Sequence, residues 1–355
     1  MQKIFSFPFI TVLISCAVVL PTFAQSTPSE FAELSLHELF ETSIADKSAI
    51  NKADSRWSLA YNVKSAQFRG YLDGDAKRAD SQVLWQGQGE QRTQQNFPIL
   101  PTVIDQQVHV LSVGYSVNDD WRVHVSLPYI SQSTDHISIV PGYENFTIDT
   151  DGTGDGVISV SHRLVATTED VWWFTIGTSL PTGSIDETGD TPRAAGDQQL
   201  PYTMQLGSGT YDFPLEFSYQ SLGKHDFSLS MSAMVRTGKN DRDYRLGNSY
   251  GISGNYNFQL TPTLKPYLGM AYQYRSAIHG QDDEIIVDGA FVYPASITNP
   301  HLYGGKKVSA ELGIRWQFSE FYAISAEFSK PIYQHLNGPQ PKENYRTGLT
   351  LSRLM

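Results

Sequence analysis

The chain has 355 residues, with 26 Lys and Arg against 37 Asp and Glu, a net charge of −11 and only 18% charged residues. That acidic balance, with no basic cluster, argues against a nucleic-acid surface. The single long apolar run lies at the extreme N-terminus, which excludes a polytopic helical membrane protein. The 19 Tyr, 18 Phe and 6 Trp exclude a disordered chain.

Residues 1–24 have the layout of a cleaved secretory signal. Lys3 gives the positive start, Ile4 to Leu20 the apolar centre, and Thr22-Phe23-Ala24 the small residues before a cut ahead of Gln25. A single membrane anchor is disfavoured because Pro21 follows directly and no basic stop-transfer cluster appears. Lipid attachment at Cys16 is disfavoured because the apolar run continues through Val18, Val19 and Leu20. Cys16 is the one cysteine, so a chain cut after Ala24 carries neither disulfide nor thiol chemistry. In residues 25–55, Leu36, Leu39, Phe40 and Ile44 fall on one helical face. This segment reads as a periplasmic linker with a short amphipathic helix, or as a plug or a contact for a periplasmic partner.

From residue 56 the helical period gives way to alternation by two. Trp121, Val123, Val125, Leu127 and Tyr129 alternate with Arg122, His124 and Ser126. Phe227, Leu229, Met231, Ala233 and Val235 alternate with Ser228, Ser230, Ser232, Met234 and Arg236. Val308, Ala310, Leu312, Ile314, Trp316 and Phe318 alternate with Ser309, Glu311, Gly313, Arg315 and Gln317. Twelve strands are expected, at about 56–72, 105–118, 120–131, 155–167, 171–182, 209–221, 226–238, 248–260, 264–278, 306–318, 321–333 and 344–354, with extra pairing within 81–90. Short connections near Asn118, Thr168, Gly223, Thr261 and Ser319 alternate with long ones at 73–104, 132–154, 183–208, 239–247, 279–305 and 334–343.

Strict alternation of short turns and long loops is the plan of a transmembrane up-and-down antiparallel β-barrel, about twelve strands, spanning 56–355. Short turns would be periplasmic and long loops extracellular. A soluble sandwich also alternates, but here aromatics bracket the apolar faces as two girdles: Trp121, Trp172, Phe227, Phe258, Phe318 and Tyr322 near the turns, Tyr129, Tyr211, Tyr250 and Tyr345 near the loops. The opposite face is too polar for a packed core. Such barrels commonly end in an aromatic residue, whereas this chain ends Arg353-Leu354-Met355.

The run Leu180-Pro181-Thr182-Gly183-Ser184-Ile185-Asp186 and the run Leu200-Pro201-Tyr202-Thr203-Met204-Gln205-Leu206-Gly207-Ser208-Gly209-Thr210-Tyr211-Asp212 resemble a bacterial outer-membrane transporter family labelled MetA-pathway of phenol degradation. Leu127-Pro128-Tyr129 and Tyr244-Arg245-Leu246-Gly247 add to the likeness, which covers about 108–318. The resemblance implies an outer-membrane barrel of a Gram-negative envelope with a role in small-molecule uptake, and no particular substrate. Leu36 to Ile44 also resembles a segment ahead of some TonB-dependent receptors, but no plug-sized domain accompanies it.

By strand parity the inward charges are Arg122, Arg163, Arg236, Arg275, Arg315 and Arg346 against Asp212, Glu216, Glu311 and Glu327, with Ser and Gly between them. Barrels of about eight strands are filled by their own side chains and those of about sixteen hold water, so twelve lies between. The expected function is passive passage or binding of small solutes, aromatic or anionic, with these residues setting selectivity. The alternatives are a barrel closed by pairs such as Arg315–Glu311, or an adhesive one acting through loop aromatics such as Tyr143, Phe146, Tyr202, Phe291, Tyr293 and Tyr303. A lipid hydrolase needs Ser and His at the lipid surface, and parity sends His124 and Ser126 to the lumen instead. No enzyme activity and no cofactor are expected.

Asp149, Asp151 and Asp155 form a weak calcium candidate, lacking the closing Glu of a full loop. Otherwise no metal is expected, because His136, His279, His301 and His335 have no ligand spacing. The expected partners are outer-membrane lipid and lipopolysaccharide, a small-molecule solute and the barrel-assembly machinery. Three long loops, 132–155, 183–208 and 279–305, hold thirteen acidic residues against Arg193 alone, so the acidity of the chain is concentrated at one end.

Overall fold

The computed structural model describes residues 56–221 and 226–355. The expected signal, the 25–55 segment and the turn at Gly223-Lys224 lie outside the described residues. The barrel strands, numbered in chain order, are β1 (Trp57–Gly74), β2 (Ile99–Ser116), β3 (Trp121–Ser138), β4 (Asn145–Thr153), β5 (Gly156–Ala166), β6 (Asp170–Leu180), β7 (Asp212–Ser221), β8 (Asp226–Arg236), β9 (Ser249–Asn257), β10 (Leu264–Arg275), β11 (Gly305–Gln317) and β12 (Tyr322–Leu354). Each pairs antiparallel with its neighbours, and β12 returns to β1, closing the sheet. Trp57 and Met355 exchange backbone hydrogen bonds at the seam, 3.0 and 2.8 Å long.

β4 and β5 are two halves of one pass. The break falls at Gly154-Asp155, opposite Pro128, whose ring nitrogen has no hydrogen to donate to the ladder. β12, conversely, supplies two passes. Its first leg pairs with β11 and its second with β1, and the legs meet where the Leu354 N–H donates to Phe321 O at 2.9 Å. Twelve passes therefore close the barrel, as the alternation predicts.

Parity decides which way each side chain points. In β3, Trp121, Val125, Leu127 and Tyr129 are 44–47% exposed, whereas Arg122 and Ser126 are 7% and 2% exposed. The same contrast sets Phe174 and Ile176 outside against Thr175 and Ser179 inside. A continuous outward apolar band, with polar residues turned inward, is stable only if hydrocarbon covers it, so this is a transmembrane barrel. Trp57, Trp121, Phe258, Trp316 and Phe318 ring the short-turn end, and Tyr129, Tyr211, Tyr250, Tyr274 and Tyr345 ring the other.

Three expectations need correction. β2 begins at Ile99 and β3 continues to Ser138, so the loops at 73–104 and 132–154 are shorter than the sequence suggests. At 18 residues each, both strands exceed the roughly nine to eleven that cross hydrocarbon. Their outer halves stand above the membrane, where protein covers both faces and the alternation by two is lost; Gln132, Ser133 and Thr134 are all buried there. Within 81–90 there is no ladder: Asp80–Val83 is one helical turn, followed by a lone bridge from Leu84 to Phe97. The connection at 334–343 is continuous strand.

Candidate channel and its constriction

The structure places the ten predicted inward charges on the inner wall or at its rim, in separate groups. Arg122 is buried with its guanidinium 4.1 Å from the Trp173 ring centre, a cation–π contact strengthened by desolvation. Arg163 lies at the short-turn rim and bonds Asp120 at 2.9 Å. Asp212 and Arg236 face each other in register across the β7–β8 hairpin and form a buried ion pair. Glu216 accepts from the Ser230 hydroxyl at 3.1 Å. Glu327 receives Lys64 at 3.3 Å and the Tyr267 hydroxyl at 3.2 Å. Arg346 bonds Glu343 at 3.0 Å, and Lys307 shares the same oxygen. Trp173, Lys64, Lys307 and Glu343 were not singled out by parity. Trp173 hides beside the outward Trp172, and Lys307 and Glu343 sit toward the long-loop end, where the pattern weakens.

The lumen is packed on one side and open on the other. Along β1 to β6, inward residues such as Asn62, Gln106, Ser126, Ser161 and Thr175 are buried. Along β7 to β12, with Lys64, Phe68 and Ile104 at the border, three cavities adjoin end to end. The outer one, about 740 Å³, is lined by Phe68, Ile104, Ile297 and Tyr303 together with Arg275, Lys306 and Lys307. The middle one, about 490 Å³, is lined by Lys64, Ala271, Ser309, Glu327 and Arg346. The inner one, about 860 Å³, is lined by Glu216, Asn255, Tyr267 and Arg315 near the short turns. Gln273 and Lys307 border both outer and middle cavities; Glu311 and Glu327 border both middle and inner ones. Small residues make this room: Ala271 and Ser309 face each other in register on β10 and β11.

The packed side is closed by loop 183–208. Leu206 is 4% exposed and sits against Ala66, Phe68, Ile104, Val108, Val110 and Ile130. These residues have inward parity, so the inner face is not uniformly polar, as the sequence suggested. It carries an apolar patch that the loop covers. Thr150 donates to Met204 O at 2.9 Å, and Leu200 and Met204 pack on Ile148.

The family-motif residues form this loop and its two ends. Leu180 ends β6, and Pro181 follows it. The Thr182 hydroxyl donates to Gly154 O at 2.9 Å and accepts the Gly156 N–H at 2.8 Å. Leu200 is buried, and Pro201 precedes the single helical turn Tyr202–Met204. Gly183 and Gly207 cross so closely that a Cβ on Gly207 would lie 2.3 Å from Gly183 O. Gly209 has φ +67°, a left-handed conformation that favours glycine.

Two acids of the calcium candidate are engaged separately. Asp151 accepts from the Tyr129 hydroxyl, while the Asp155 carboxylate is taken up by Gly183 and Ser208. Among the described residues no group of three His, Cys, Asp or Glu is placed to hold a metal ion. His136 is instead buried, stacked on Phe146 with ring centres 4.6 Å apart. Most of the loop aromatics are engaged within the loops. Tyr143 donates to Asp190, Tyr202 is buried, Phe291 carries Arg92, Tyr293 donates to Gln281 and Tyr303 to Ile297 O. Arg242 ties three acids of two loops together, Asp186 at 2.8 Å, Glu284 at 3.0 Å and Asp282 at 3.5 Å. Burial pushes the Asp282 carboxyl up, opposed by the Glu284 N–H and Arg242. Ser126 is buried inside the barrel, away from lipid.

No family model matches the chain, and no curated protein does. Among solved structures, an outer membrane channel from Pseudomonas putida F1 aligns with a TM-score of 0.55 at 13% identity, covering 86% of this chain and 100% of that one. The shared fold is that of an outer-membrane β-barrel. A FadL homologue from Pseudomonas aeruginosa aligns at a TM-score of 0.40 and 12% identity, over 86% and 93% of the two chains.

Proposed function

We propose that this barrel sits in the outer membrane and passes small solutes passively along the β7–β12 side of its lumen. The observation that carries the reading is the end-to-end run of three cavities from the long loops to the short turns, beside a packed half. The secretory pattern of residues 1–24 and the two aromatic girdles support the location. The acidic loops would then face outward, where divalent cations shared with lipopolysaccharide offset their charge.

The charges along the route set its preference. Arg275, Lys306 and Lys307 border the outer cavity beside Phe68, Ile297 and Tyr303. Cationic heads next to apolar walls suit a small organic anion, aromatic acids included, which is as far as the phenol-pathway likeness of the motifs reaches. Further in, Glu216, Glu311 and Glu327 line the inner cavity with Arg315, and Lys64 pairs with Glu327, so acids outnumber bases there and an anion held at the outer cavity is not trapped deeper in.

Proteoliposome swelling tests this. Vesicles carrying the purified protein should take up benzoate faster than a neutral sugar of similar size. In a KCl gradient, Arg275→Ser should move the reversal potential toward cations by at least about twofold in permeability ratio. Swelling no faster than in protein-free vesicles for every solute would contradict the channel.

A further inference from the structure

Both ends of the inward loop meet at one carboxylate. Asp155 stands in the break between β4 and β5, at the height where the loop leaves and rejoins the barrel. Its Oδ1 accepts the Gly183 N–H at 2.9 Å, the first residue of the loop. Its Oδ2 accepts the Ser208 N–H at 2.8 Å and the Ser208 hydroxyl at 2.6 Å, the last residue of the loop. Three donors converge on one carboxyl group, which makes it a strong anchor. The two strands of the neck touch through backbone alone: Ser184 O accepts both Leu206 and Gly207 N–H at 2.9 Å, and Gly183 and Gly207 leave no room for a Cβ. Immediately inside the neck, Leu206 is held against the apolar patch of β1, β2 and β3.

We propose that Asp155 is the positioning residue of the constriction: it clamps the neck of loop 183–208, so that Leu206 stays seated on the inner wall and half of the lumen stays closed. Releasing the clamp frees Leu206 and widens the passage. The conductance consequence rests on the channel reading; the loop position does not. Asn240 ties the same neck from a neighbouring loop, its amide donating to Ser208 O at 3.0 Å. That bond reaches only one end of the loop, whereas Asp155 joins both.

The test uses the full chain with Cys16→Ser and Leu206→Cys, the new thiol being a small apolar reporter that suits the patch. A charged thiol reagent reports access to position 206, and heat-modifiable gel mobility reports a folded barrel. With Asp155 intact the thiol should be protected. In folded Asp155→Ala or Asp155→Asn it should react at least about tenfold faster, because local opening sets access, and single-channel conductance should rise. Ser208→Ala, which removes one of the three donors, should fall between. Should the Asp155 variants fail to fold, Gly207→Ala replaces them, since its added Cβ cannot coexist with a closed neck. Folded variants in which the thiol stays as protected as before would overturn the proposal. Faster labelling with no conductance in any variant would uphold the clamp and remove the channel reading instead.

Discussion

Replacing Asp212 with Ala should destabilise the barrel by about 3–5 kcal/mol, because it strands a buried guanidinium. The side chains of Arg236 and Asp212 are 5% and 1% exposed. Asp212 also accepts the Thr210 hydroxyl at 2.8 Å, so the substitution orphans two donors at once. The double variant Asp212→Leu with Arg236→Met should recover most of the loss, since replacing both members of a buried pair by apolar groups is often neutral. Urea unfolding in lipid vesicles measures the losses, and adding Asp212→Leu and Arg236→Met singly completes the four chains of a double-mutant cycle that gives the coupling. A single-variant loss below about 1 kcal/mol, the range of exposed pairs, would show that water reaches Arg236 and that the pair is not sealed.

An indole placed in the middle cavity should close the route. Ala271 lies on β10 opposite Ser309, between the rim shared with the outer cavity and the rim shared with the inner one. Ala271→Trp is expected to lower single-channel conductance by at least about fivefold while leaving the fold intact, because a narrow pore conducts through its tightest ring. The contrasting substitution is Ser161→Ala on the packed side, where the residue is fully buried and bonds Thr175 at 2.8 Å. It should leave conductance unchanged. Equal effects from the two would refute a route confined to one side of the lumen.

Much of the architecture is legible from residue order alone, because lipid on one face and protein on the other impose a period of two. Trp121 to Tyr129 announces its outward face residue by residue, and the short connection after β7 already implies that Asp212 and Arg236 end up opposite each other. What the sequence hides is what loops do. Loop 183–208 is polar and motif-bearing, and nothing local shows that Leu206 belongs beside Val108 and Val110, about a hundred positions upstream. Asp155 reads as one member of an acidic cluster, yet its partner Ser208 lies 53 residues away in sequence. Trp173 escapes notice because its neighbours Trp172 and Phe174 carry the outward pattern. The upper parts of β2 and β3 lose the alternation for a physical reason: above the membrane neither face meets hydrocarbon.

The loop crown follows the same logic. Its acidic residues are many, but Arg242 and Arg193 bind them and nearby carbonyls into cross-loop ties, so the negative end is a built surface rather than a loose fringe. Such ties fix the outer mouth relative to the clamp below it.

Single-channel recording of the purified protein in a planar bilayer tests the central claim most directly. Discrete current steps, lowered by Ala271→Trp, are the predicted result. Silence at all voltages from folded protein, with Asp155 intact and with Asp155→Ala alike, would contradict an open route along β7 to β12.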